Sequence, residues 1–421
     1  MNLRAKIINI KTYLNRIIMQ KTKMAIAAIL LTVTAMLAVG CTKHDEPDNG
    51  GNGGEDPESF IVSISANPSD GGSVTGGGTF NEGDTCTVSA AADMSYFFAN
   101  WTENDSVVST EATYAFAVTG NRALVANFTY LPIGAINGKF TVNANGDQVY
   151  FSQGNLQYIG SAAAPYWKFA DNQWDYFGNT TGQNSSNSNV DRDLFGWGTS
   201  GYHDADDAYN VNYQPWSTSI EIVDAEYNPY GYGPSTDTAS QSLVGSSANY
   251  DWGVYNPISN GGNQTGRWRT LTGDSDGEWP YIFYTRAAST VNGVDNARFA
   301  KAKVADVQGM ILFPDNYTHP SGVEQPVGIN DTWNTGWEGN NYSADDFASM
   351  QSAGAVFLPA AGFRARTSVT YPGSYGDYWS ASDSGSGNAY YMFFDISTHG
   401  TGYWVDRCYG LSVRLVCPAE K

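Results

Sequence analysis

The chain has 421 residues, among them 46 Gly, 27 Tyr and 12 Trp, and only 15% are charged. That length calls for two or three units rather than one small core, and the shortage of helix-favouring charged residues excludes a helical bundle in favour of β-rich, loop-rich extracellular architecture. The formal net charge is -20 at pH 7; removing the six basic side chains of the first forty residues takes it to about -26, a field that repels nucleic acid and anionic lipid and excludes a nucleic-acid role. The acidic residues are scattered, which fits a solvated surface rather than an acidic binding tract. Four cysteines are present, Cys41, Cys86, Cys408 and Cys417, and none has zinc or redox-motif spacing.

Arg4, Lys6, Lys11, Arg16, Lys21 and Lys23 precede an apolar run from Met24 to Val39. A basic stretch, a short apolar stretch and a small residue before Cys41 predict a secretory signal over 1–40, with Met1 or Met19 as its start. The run is too short and too interrupted by Thr32 and Thr34 for a membrane span. Leu37-Ala38-Val39-Gly40-Cys41 resembles the bacterial lipobox. The resemblance implies that Cys41 is acylated and anchors the chain to the outer membrane without a transmembrane helix. Thr42-Lys43-His44-Asp45-Glu46 resembles the surface-export signal of Bacteroidetes-type lipoproteins, which implies exposure on the extracellular side. Residues 41–59 read as a flexible tether rich in Gly, Asn and acidic residues.

Residues 60–130 predict a small all-β module. Alternation runs through Phe60-Ile61-Val62-Ser63-Ile64, Thr85-Cys86-Thr87-Val88 and Tyr114-Ala115-Phe116-Ala117-Val118. Pro68, Gly71-Gly72-Ser73-Val74, Gly83-Asp84-Thr85-Cys86, Phe97-Phe98-Ala99-Asn100-Trp101 and Ala126-Asn127-Phe128 together resemble a divergent internalin-type B-repeat. The resemblance implies a β-grasp-like spacer, in which Trp101 is a core aromatic.

A larger domain is expected over 135–421. Gln148 to Ser152 and Asn155 to Tyr158 read as a hairpin around Gln153-Gly154, and residues 178–262 as a long irregular region. A helix is predicted from Glu278 to Arg286 with Asp276 as N-cap, and a second over Ser343–Ala353, where Ser343 and Asp346 approximate a capping box and Gly354 supplies the stop. Gly309 to Pro314 and Ala355 to Pro359 read as buried strands. Three further strands are expected at Tyr378–Ser382, Ala389–Phe394 and Tyr409–Val416. If the last is one strand, Cys408 and Cys417 stand roughly 30 Å apart, beyond the roughly 7 Å Cα reach of a disulfide, so the thiols are expected free and buried.

Trp268-Arg269-Thr270-Leu271-Thr272 with Glu278-Trp279, then Gly309 to Asp315, Leu358-Pro359-Ala360-Ala361-Gly362-Phe363-Arg364, Tyr378-Trp379-Ser380 and Gly410-Leu411-Ser412-Val413-Arg414-Leu415-Val416 stand in an order that resembles formylglycine-generating-enzyme-like domains. The likeness is nearest to the Fibrobacter succinogenes-type major paralogous domain. It implies an α+β class overall, the small β module being followed by a C-type-lectin-like domain with short helices and long loops. The sulfatase-maturing enzymes of that superfamily use a cysteine pair near the last strand; here Cys408 and Cys417 flank that strand and no ordered constellation accompanies them.

The four histidines, His44, His203, His319 and His399, lack zinc-hydrolase spacing. No nucleophile elbow or phosphate loop is present. Asp204, Asp206 and Asp207, or Asp274, Asp276 and Glu278, could offer hard oxygens to calcium, although turn formation and helix capping account for both groups; no other cofactor is implied. Recognition is the better reading. Alternation places Tyr390, Met392, Phe394 and Ile396 inward and Tyr391, Phe393 and Asp395 outward. His399, Tyr403, Trp404, Asp406 and Arg407 follow in an approach segment that burial does not require. These eight residues, Tyr391 to Arg407, form the expected binding surface for an extracellular glycan or protein. The expected function is a non-catalytic, surface-anchored ligand-binding or adhesion lipoprotein. The alternatives are a secreted glycan-active or lectin-fold redox enzyme, and a structural component of a surface assembly.

Overall fold

Alternating side chains build the first part of the molecule. In the strand Ser59–Asn67, Phe60, Val62, Ile64 and Ala66 turn inward while Ile61 faces solvent. This strand pairs in parallel with Arg122–Tyr130 and antiparallel with Gly78–Asn81. Tyr96–Glu103 and Ser106–Ser109 complete a five-stranded sheet. A second sheet of Gly72–Thr75, Thr85–Ala92 and Thr113–Ala117 covers it. Between them Cys86, Val88, Leu124, Ala126 and Phe128 pack around Trp101, which is fully buried and donates its indole N–H to Ala112 O at 3.3 Å. The computed structural model describes residues 58–93, 95–202, 214–216, 242–331, 336–385 and 387–419. Cys41, the tether before Glu58, and Asp204, Asp206 and Asp207 lie outside the described residues.

From Ala135 onward the strands form many small sheets. Val416–Pro418, Gln148–Ser152 and Ala135–Thr141 make one; Asn341–Tyr342, Phe299–Val304, Val307–Leu312 and Val356–Pro359 make a second; Gly376–Gly385, Asn388–Phe394 and His399–Asp406 make a third. Two-stranded pairs, Leu156–Ile159 with Tyr166–Phe169 and Phe363–Ala365 with Ser368–Thr370, fill the gaps. The expected hairpin around Gln153-Gly154 therefore does not form. Gln153 N–H donates to Gly134 O and carries the chain across to another sheet rather than back along its own strand.

The α+β, C-type-lectin-like expectation is corrected by this architecture: 41% of the residues are strand and 9% helix, spread over many small sheets. The helix expected from Glu278 shortens to a three-residue α-turn, Glu278–Pro280, capped at Gly277 rather than Asp276, and continues as a π-turn over Tyr281–Thr285. Its end is drawn off the helical path by Arg286, whose side chain donates to Ile282 O, Phe313 O and the Asp315 carboxylate. The second expected helix does form, as Ala344–Ser352 with a complete Ser343–Asp346 capping box. Gly354, at φ +97°, ends it where a Cβ would lie 2.5 Å from Asn137 O.

The segment Gly410–Pro418 runs through the middle of these sheets. It is extended and buried, yet only Val416–Pro418 joins a ladder. Gly410 exchanges hydrogen bonds with Arg364, Leu411 with Phe195, and Val416 with Arg269. Ser412 accepts from Trp379 and donates to Asp377, while Val413 and Leu415 accept from Leu156 and Ser152. The expected single strand is thus a thread that satisfies its backbone against many partners. Arg414, fully buried, reaches the amide oxygens of Gln173 (2.7 Å) and Asn155 (3.4 Å) and Phe357 O (3.3 Å). The thiols of Cys86, Cys408 and Cys417 are buried and free.

Candidate ligand-binding cavity

The antiparallel sheet of Gly376–Gly385, Asn388–Phe394 and His399–Asp406 sorts its side chains by period two. Tyr378, Met392 and Phe394 enter the core on one face. On the other, register sets Asp377 opposite Phe393, Trp379 opposite Tyr391, and Tyr391 opposite Tyr403. Gly400 keeps this face open beside Tyr403, since a Cβ there would lie 2.5 Å from the Tyr403 ring. Phe363, Tyr409 and Leu411, from the flanking hairpin and the C-terminal thread, close the opposite side. Together with Tyr375 and Val405 they enclose a cavity of about 360 Å³.

Its walls are rings set at steep angles. Phe393 meets Tyr375 at 5.2 Å between centroids and 77°, and Tyr403 at 5.5 Å and 72°; Phe363 meets Tyr409 at 5.8 Å and 63°. The polar groups of the lining are the hydroxyls of four tyrosines and the carboxyl of Asp377, and no lining residue is basic. Asp377 is 3% exposed, and its buried Oδ2 has no hydrogen-bond partner. Burial first, and the charge of Asp395 second, push its pKa up to about 8. Burial likewise raises the phenols of Tyr375, Tyr391 and Tyr409.

Of the eight predicted surface residues, the structure gathers Tyr391, Phe393 and Tyr403 at this cavity and places the others elsewhere. Asp395 accepts the backbone N–H groups of Ser397 and Thr398 at 2.7 Å and shapes a turn. The strand ends at Phe394, so the alternation stops there and Ile396, expected inside, is exposed. His399 is buried against Phe299, Phe283 and Tyr284, and burial lowers its pKa to about 4. Trp404 pairs with Tyr390, on the face away from the cavity, and is 62% exposed. Asp406 ends the strand, its carbonyl accepting from Tyr409 N–H. Arg407 is buried over the Trp197 ring and ion-paired to Asp383. Asp377, Tyr375, Phe363 and Tyr409 were not among the expected residues. Asp377 could have been found from its position two before Trp379, where period two sets an acid on an otherwise apolar face.

The remaining chemistry-bearing groups are tied into the structure. Glu278 receives both Arg269 nitrogens, at 2.5 and 2.6 Å, and Asp274 accepts from Ser382. Among the described residues no group of three or more His, Cys, Asp or Glu side chains could hold a metal ion. Burial pushes the Cys408 and Cys417 thiols up to about 12, which keeps them protonated at neutral pH.

Residues 62–132 match the family model of the divergent InlB B-repeat domain. No curated protein and no solved structure matched the chain. The B-repeat has its own core, separate from the clusters that follow it. Close packing in it depends on Gly72, where a Cβ would lie 2.5 Å from the Phe128 ring. Beyond that core, Tyr130 accepts a hydrogen bond of 2.5 Å from Arg267, and Phe97 and Thr129 border a cleft shared with Lys139 and Tyr150.

Proposed function

We infer that the chain is a non-catalytic, surface-displayed binding protein of adhesion type. In this reading acyl chains on Cys41 hold it to the outer membrane, the B-repeat stands between anchor and binding part, and a glycan or protein ligand engages the cavity beside Tyr391, Phe393 and Tyr403. The observation that carries it is the cavity itself: a concave aromatic site with a few polar groups, here tyrosine hydroxyls and one carboxyl, is the usual form of a ligand pocket, and about 360 Å³ falls within the range of such pockets. The B-repeat match supports a surface role. Buried aromatic anchors account for most binding energy where they occur, and the tyrosines here are half-buried rather than locked in the core.

Two measurements test this. Labelled palmitate should be incorporated by the wild-type chain and not by Cys41→Ala, and protease added to whole cells should digest the former. A glycan array and a cell-surface pull-down should return a ligand whose affinity falls roughly tenfold or more in Tyr391→Ala. Equal loss in Trp404→Ala would move the surface to the other face of the sheet, and turnover of a bound polysaccharide would replace the reading with an enzymatic one.

A further inference from the structure

Asp377 differs from the other buried acids in having an oxygen without a donor. Asp193 accepts from Phe177 N–H and Gln183, Asp251 from the backbone N–H groups of Gly253 and Thr270, and Asp383 from Arg407. Asp377 borders the aromatic cavity. A buried carboxylate without a partner is disfavoured until a cation or donor reaches it. The cavity lining has no Lys, Arg, Asn or Gln with which to hold an anion. Its rings lie at 48° to 77° to one another, so they line the cavity as separate walls and do not form one shared flat platform. Walls of Tyr and Phe attract a cation through their π faces at centroid distances up to about 6 Å.

Resting on the binding reading above, we propose that this cavity receives an alkylammonium group, with Asp377 as its counter-ion and Tyr375, Tyr391, Phe393 and Tyr403 as its walls. The volume of about 360 Å³ accommodates one amine-bearing side chain or a small free amine. A lysine of a protein partner and a free amine share this chemistry. The elevated pKa of Asp377 accords with the site: an entering ammonium supplies the charge that the empty cavity lacks, and the carboxyl ionises as it binds.

Calorimetric titration of the full-length chain tests this with n-butylammonium, a lysine-bearing peptide and the same peptide acetylated on Nζ. Saturable binding of the first two and none of the third is expected. Asp377→Asn should weaken both at least about tenfold while still melting cooperatively. Should that variant not fold, Tyr403→Ala, at the half-exposed rim, should weaken them by a similar factor. Tighter binding of the peptide than of n-butylammonium assigns the site to a partner's lysine, and equal binding assigns it to a free amine; either supports the proposal. No binding of either probe at about 10 mM, or binding unchanged in Asp377→Asn, overturns it. A glycan or protein lost in Tyr391→Ala while the ammonium probes stay silent overturns this inference alone. Silence of every ligand class overturns the binding reading as well.

Discussion

Asp377 and Asp193 are both buried, and burial is the largest influence on each, raising their pKa values to about 8 and about 7 from an ordinary 3.8. Between about pH 4 and those values the folded chain keeps protons that the unfolded chain has released, so the stability they contribute is complete at low pH and is lost as pH rises through 7 to 8. His399 has the opposite sign: its lowered pKa removes stability as pH falls from about 6.5 toward 4. Asp395 adds to the rise at Asp377, and neighbouring Tyr391, whose phenol burial raises, is neutral throughout this range. The wild type should therefore lose stability relative to Asp377→Asn from pH 4 to 8, by on the order of a few kcal/mol, and level off above that; melting temperatures at several pH values check it. A parallel profile for the two proteins would place the proton elsewhere. At Arg407 the prediction concerns pairing. Arg407→Ala strands the buried Asp383 carboxylate and should cost about 3–5 kcal/mol in denaturant unfolding.

Short elements behave here as their local chemistry dictates. The nine-residue helix Ala344–Ser352 rests on its capping box, and Ser343→Ala should lower stability by about 1 kcal/mol, measured by urea unfolding. Gly400→Ala would push on the Tyr403 ring, which is 45% exposed and free to swing outward; the fold should survive while ligand affinity drops roughly fivefold or more, checked by melting and titration together. That helix, the B-repeat strands and the Gly309 and Ala355 strands were legible because period, cap and turn residues agree over a few neighbours. The hairpin at Gln153-Gly154 was misread because the partners of Gln148–Ser152 lie at Ala135–Thr141 and Val416–Pro418, which no local signal names. The helix from Glu278 was overread, since Arg286 finds Asp315 and Phe313 O only in the folded chain. A third of the cavity lining, Tyr391, Phe393 and Tyr403, was legible in the sequence. Alternation along one strand exposes Tyr391 and Phe393, whereas Phe363, Tyr375 and Tyr409 arrive from segments joined only by tertiary contacts.

At the scale of the molecule, residues 58–130 and the sheets after Ala135 keep separate cores within one compact unit, Glu58 to Lys421. The later cores share the thread Gly410–Pro418, which exchanges hydrogen bonds with segments around Ser152, Phe195, Arg269, Arg364 and Asp377. A chain cut after Tyr409 should lose cooperative melting beyond Ala135 and retain a protease-resistant fragment over the B-repeat; limited proteolysis with mass spectrometry would show it. The thread also sets an order in time. Every segment it joins precedes it in the chain, so a ribosome delivers the keystone after all the stones it must lock. Until then the intervening residues can gather sheets but cannot close them, and non-local closure of this kind is slow. The sheets after Ala135 can therefore close only once the thread has been synthesised.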